Sequence, residues 1–74
     1  MGYYIFDIEY TEVDGAREIA RNIRKALGRR YAFTPDKLLA FINDKFPEYT
    51  AKAFDWCVCV YIDSKLAVIF HIAD

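Results

Sequence analysis

Residues 54–73, FDWCVCVYIDSKLAVIFHIA, carry two alternating apolar rows separated by a short polar turn. Phe54, Trp56, Val58, Val60 and Ile62 form the first row, and Leu66, Val68, Phe70 and Ile72 the second. Alternation in β-branched and aromatic residues is the pattern of strands, and two such runs about a short turn make a hairpin. Its register depends on turn length. A two-residue loop at Asp63-Ser64 would pair Ile62 with Lys65 and send the two rows to opposite faces. A three-residue loop, Asp63-Ser64-Lys65, instead sets Ile62 against Leu66, Val60 against Val68 and Val58 against Phe70, giving one continuous core side. That register requires Lys65 to adopt a left-handed backbone, a conformation usually left to glycine or asparagine.

Outward from the hairpin, residues 3–10, YYIFDIEY, read as a strand with Tyr4, Phe6, Ile8 and Tyr10 on one side and Tyr3, Ile5, Asp7 and Glu9 on the other. Ile19, Ala20, Ile23, Ala26 and Leu27 recur at helical spacing from Ala16, with Thr11 or Asp14 as N-cap and Gly28 as the stop. Thr34-Pro35-Asp36 then supplies a cap, a proline at the first helical position and an acid in the first turn. Leu38, Leu39, Phe41, Ile42 and Phe46 make the buried stripe of this second helix, which Pro47 ends. The order β-α-α-β-β predicts one α+β domain over residues 1–74. It is a two-layer sandwich in which two helices cover one face of a three-stranded, mainly antiparallel sheet.

Length and composition narrow the classes. A chain of 74 residues hides only about 60% of its unfolded surface, yet 55% apolar and 18% aromatic content is too rich for disorder. The apolar runs at residues 56–62 and 66–70 fall short of the roughly 20 residues that a membrane helix needs, so no membrane partner is expected. The sequence opens without a basic leader or a small-residue cleavage site, and a cytoplasmic setting follows. Cys57 and Cys59 stand two apart in one strand, too constrained for a disulfide staple, and are expected as free thiols.

The residues that alternate with the hairpin's core row are Ala51, Ala53, Asp55, Cys57, Cys59, Tyr61, Ala67, Ile69, His71 and Ala73, with Tyr3 and Ile5 from the first strand. A solvated sheet face normally alternates polar with apolar residues. This one is small or apolar, so a protein partner or a second copy of the chain is expected to cover it, contacting Tyr3, Ile5, Cys57, Cys59, Tyr61, Ile69 and His71.

A second candidate surface is electrostatic. Net charge is −1, but residues 15–31 alone carry +5 and the remainder −6. Arg17, Arg21 and Arg24 follow i, i+4, i+7 spacing opposite Ile19, Ile23 and Leu27, and Lys25, Arg29 and Arg30 extend the patch. Arginine forks grip carboxylates and phosphates alike, while the acidic remainder favours an acidic protein surface over nucleic acid. The order strand, helix, basic glycine loop, helix and strand, with Gly28-Arg29-Arg30-Tyr31 at the loop, resembles the KH RNA-binding core. That resemblance implies RNA binding as the alternative. Tyr31 stands where the family has its second glycine, which keeps the backbone from approaching phosphates as that loop does, and the family's final helix is absent.

Catalytic signatures are sparse. The three-residue turn sets Cys57 opposite His71 with Cys59 and Asp55 beside them, a thiol and imidazole pair that a nucleophile or a zinc ion would use. An open sheet face offers no orienting group, oxyanion donors or fourth ligand, so no enzyme, metal or cofactor is expected. The sequence is therefore read as a non-catalytic protein-interaction module, an inhibitor or adaptor of the size of the small proteins phages make against host defences. Thiol or metal chemistry on the sheet is a second alternative.

Overall fold

The computed structural model describes residues 2–30 and 32–74. Its elements are β1 (Tyr4–Tyr10), α1 (Ala16–Leu27), α2 (Pro35–Lys45), β2 (Thr50–Ala53), β3 (Cys57–Ile62) and β4 (Lys65–Ala73). The strands form one antiparallel sheet in the order β1-β4-β3-β2. The α+β class and the two helices agree with the sequence pattern, but the sheet has four strands rather than three.

The extra strand, β2, comes from a turn that the alternation conceals. At Asp55-Trp56 the chain reverses, and the Phe54 N–H donates to the Cys57 carbonyl at 2.8 Å. Ala53 then pairs with Val58 and Ala51 with Val60. No glycine, proline or asparagine marks this reversal, so the pattern reads straight through it. Phe54 and Trp56, expected in the core, are 51% and 55% exposed. Ala51 and Ala53, expected on the opposite face, pack against the core instead.

A second correction concerns the β3-β4 turn. It is the two-residue loop, with Asp63 at φ 49° and Ser64 at φ 67°, and Ile62 pairs with Lys65. Two left-handed residues are what tight hairpins favour, because their twist matches that of the strands. The conflict this loop should create is removed by Ala67, an extra residue in β4: Tyr61 pairs with Leu66, and Val60 with Val68. Beyond this bulge Val58 faces Phe70 and Cys57 faces His71, as expected from the sequence. Ala67, expected on the outer side, joins the core together with Val68.

Phe6 is a matching extra residue in β1. Ile5 pairs with Ile72, Asp7 with His71, Ile8 with Phe70 and Tyr10 with Val68. The alternation of β1 therefore shifts part-way along. Ile5, expected to face a partner, is buried in the core beside Ile72, whereas Phe6, assigned with Ile8 and Tyr10, is 59% exposed.

Both helices form where their spacing predicts. The N-cap of α1 is Gly15 at φ 89°, not Thr11 or Asp14. The Thr11 hydroxyl donates to the Leu66 carbonyl at 2.7 Å and accepts the Val13 N–H at 3.3 Å, which fastens the loop to β4. Helix α2 starts as expected, the Thr34 hydroxyl accepting the Lys37 N–H at 3.3 Å ahead of Pro35. Ile19, Ala20, Ile23 and Leu27 of α1 and Leu38 and Ile42 of α2 share one buried cluster with Ile5, Val58, Val60, Val68, Phe70 and Ile72. Helix α1 lies against β1 and β4, and α2 against β2 and β3. Among the described residues no helix is long and apolar enough to cross a membrane.

Three outcomes follow for urea denaturation. Ser64→Gly relieves a left-handed serine without removing a packed group and stabilises the chain by about 1 kcal/mol. Phe70→Ala empties a fully buried site and costs about 3–5 kcal/mol, whereas Phe54→Ala, on the exposed turn, changes stability by less than about 0.5 kcal/mol.

Candidate protein-docking surface

Cys57, Cys59 and Tyr61 alternate with the core residues of β3, and Ile69, His71 and Ala73 with those of β4, so they share the sheet side turned away from the cluster. On one margin β1 sets Asp7 against His71 and Glu9 against Ile69. On the other, β2 sets Thr50 against Tyr61 and Lys52 against Cys59. This side therefore runs from an acidic margin through an apolar middle to a margin carrying one lysine.

Aromatic side chains crowd its end. The Phe6 ring lies 6.0 Å from that of His71 and 6.5 Å from that of Tyr4, and Tyr3 lies 5.9 Å from Trp56. The Trp56 carbonyl accepts the Ile72 N–H at 2.9 Å, which ties the indole's backbone to β4. Tyr3, Tyr4, Phe6 and Trp56 are all exposed. Of the residues expected to meet a partner, Cys57, Cys59, Tyr61, Ile69 and His71 come together on this side, Tyr3 borders it beside Trp56, and Ile5 leaves it for the core. Sequence reading missed Tyr4, Phe6, Trp56 and Lys52. The available signal was the crowding of four aromatics into residues 3–10, more than one buried strand face can hold.

The thiols and the imidazole are already engaged. His71 Nε2 lies 2.8 Å from Glu9 Oε1, and the sulfurs of Cys57 and Cys59 lie 4.0 Å apart. Cys59 is only 7% exposed. Burial first, and then the neighbouring Cys57, push its thiol from 9.0 up to about 11. Thiolate is the form that attacks electrophiles and binds metals, so Cys59 stays in the inert form near neutral pH. Among the described residues no group of three or more His, Cys, Asp or Glu side chains is placed to hold a metal ion.

The basic patch divides. Arg30 donates from Nη2 to the Ala26 carbonyl at 3.1 Å and from Nε to the Leu27 carbonyl at 3.3 Å, and its guanidinium sits 5.3 Å from the centre of the Phe41 ring. It therefore satisfies the open carbonyl end of α1. Arg29 is exposed after the helix, and Tyr31, which stands where the KH-like loop would have its second glycine, lies outside the described residues. Arg17, Arg21, Arg24 and Lys25 instead line a groove of about 480 Å³ together with Ile8 and Tyr10 of β1. The Arg17 guanidinium lies over the Tyr10 ring, 5.0 Å from its centre. That stacking is worth about 0.5–1 kcal/mol. The like-charge i,i+4 pairs Arg17 with Arg21 and Arg21 with Lys25 each cost about 0.2–0.5 kcal/mol, a total comparable to the stacking.

No protein-family model, curated protein or solved structure matches this chain.

The raised thiol of Cys59 fixes a pH dependence. The folded chain holds the proton up to about 11 while an unfolded cysteine releases it near 9.0. The contribution is complete below the lower value and disappears as pH rises towards the upper one. Urea titrations across this window show a decline that Cys59→Ala flattens. Iodoacetamide under mildly alkaline native conditions, followed by mass spectrometry, labels half-exposed Cys57 ahead of Cys59.

Proposed function

We propose that the chain is a non-catalytic protein-interaction module that docks through the sheet side facing away from both helices. In this reading α1 and α2 form one layer and the sheet the other, and the single cluster that joins both helices to Ile5, Val58, Val60, Val68, Phe70 and Ile72 supports that layering. The observation that carries the reading is the outer side itself. Half-exposed Cys57, Tyr61, Ile69 and Ala73 continue into exposed Tyr4, Phe6 and Trp56 among the described residues. Contiguous apolar and aromatic surface of this kind is typical of contact sites, and aromatics are the side chains on which docking energy concentrates.

A second copy of the chain is the occupant that the charge pattern favours. In a two-fold face-to-face arrangement the acidic margin of one copy, Asp7 and Glu9, lies over the margin of the other that carries Lys52, and the apolar middles meet. Small side chains at Cys57, Cys59 and Ala73 permit the close approach. A docked pair would act by occluding or bridging other macromolecules, the role expected of a small inhibitor or adaptor.

Sedimentation velocity over a wide concentration range tests this. The native chain passes from monomer to dimer, the Phe6→Ser/Trp56→Ser variant shifts that transition to higher concentration with unchanged circular dichroism, and Lys52→Glu weakens it unless Asp7→Lys is added. A chain that stays monomeric throughout rules the second copy out.

A further inference from the structure

Independently of the sheet face, we infer that the groove between the open edge of β1 and helix α1 binds an extended acidic peptide segment by strand addition. Among the described residues β1 is an edge strand, because the order β1-β4-β3-β2 leaves its far side without a neighbour. The Thr11 N–H donates to the Ala67 carbonyl of β4 at 2.8 Å. Backbone direction alternates along an antiparallel strand, so Tyr10 and Ile8 turn their N–H and C=O groups the other way, to the open edge. These two residues form the floor of the groove whose wall is Arg17, Arg21, Arg24 and Lys25. Its volume, about 480 Å³, lies within the range of roughly 300–1,000 Å³ typical of ligand clefts.

Charge selects the occupant. Among the described residues no carboxylate lines this groove itself, the nearest being Asp7 in the hollow next to Arg24 and Glu12, Asp14 and Glu18 on the other side of Arg17, Arg21 and Lys25, and none of its four cations takes part in an ion pair. Arg24 and Lys25 stand in the last turn of α1, where positive charge is favourable, but Arg17 stands in the first turn, where it is not. Helix stability therefore does not account for the stripe. An incoming strand would place alternate side chains towards α1, and acidic residues there would give the guanidinium forks carboxylates to hold. Its backbone would meanwhile bond Ile8 and Tyr10. The same arrangement keeps the edge selective. The bulge at Phe6 disrupts pairing towards the start of β1, and cations over the remainder repel any strand that lacks acids. A phosphodiester backbone matches the charge but carries no ladder of amides to bond the edge.

Fluorescence anisotropy with a labelled decapeptide of alternating glutamate and threonine tests the assignment. The peptide binds, and replacing its glutamates by lysine, methylating its backbone nitrogens, or introducing Arg21→Glu/Arg24→Glu each weakens binding by roughly tenfold or more. Both arginines are exposed, so the variant retains its circular dichroism. Amide exchange at Ile8 and Tyr10 slows when the peptide is added. Equal binding of the methylated peptide, or of a single-stranded oligonucleotide of the same charge, overturns the inference in favour of an unspecific cationic surface. Protection of Ile8 and Tyr10 that depends on protein concentration without peptide overturns it in favour of a second copy along the same edge.

Discussion

Ala67 reconciles two requirements that are incompatible in a regular ladder. Asp63 and Ser64 make a two-residue turn, whose twist suits paired strands, but such a turn would send the apolar rows of β3 and β4 to opposite sides. One additional residue in β4 moves Val68, Phe70 and Ile72 onto the side of Val58 and Val60, and Ala67 is small enough to be buried with them. β4 is also the strand that pairs with both β1 and β3. Its register therefore sets where Ile5 of β1 enters the core and which residues of β3 remain outside.

The surface chemistry follows from that register. Because Val58 faces Phe70, the intervening Cys57 and Cys59 stand together with Ile69 and His71 on the other side. His71 meets Glu9 there rather than a thiol, and Cys59 is buried into a protonated state. A constellation that would suggest nucleophilic or metal chemistry from residue types alone consists, in the fold, of a hydrogen-bonded imidazole, a thiol held protonated by burial and a cluster of exposed rings. The bulge at Phe6 acts similarly on β1, bringing one large aromatic out of the alternation and setting it beside His71.

The two candidate surfaces differ in the forces they offer. The sheet side supplies apolar area with charge only at its margins, which suits a complementary flat face. The groove beside β1 supplies unpaired backbone groups beneath a row of guanidinium groups, which suits an extended chain. The positive charge of α1 and the negative balance of the remainder of the molecule make the two surfaces chemically distinct.

Helix spacing, the Thr34-Pro35 start, the Gly28 stop and the apolar rows are local properties, and residue patterns alone determined them: both helices, the α+β class and the Val58, Val60, Val68 and Phe70 core. The arginine stripe was equally legible, since a period of 3.6 residues assigns a helix face without knowledge of any neighbour. Tertiary structure alone decided the fourth strand, the two bulges and the fates of Ile5, Phe6, Phe54, Trp56 and Ala67. A bulge leaves no compositional mark, because it arises from competition between turn twist and burial across strands distant in sequence. The reversal at Asp55-Trp56 carries a single turn-favouring residue, Asp55, in an otherwise strand-like run, and only the pairing of β2 with β3 reveals it. The same dependence on pairing hid the groove, since its floor is a strand edge that exists only once β1 has found β4.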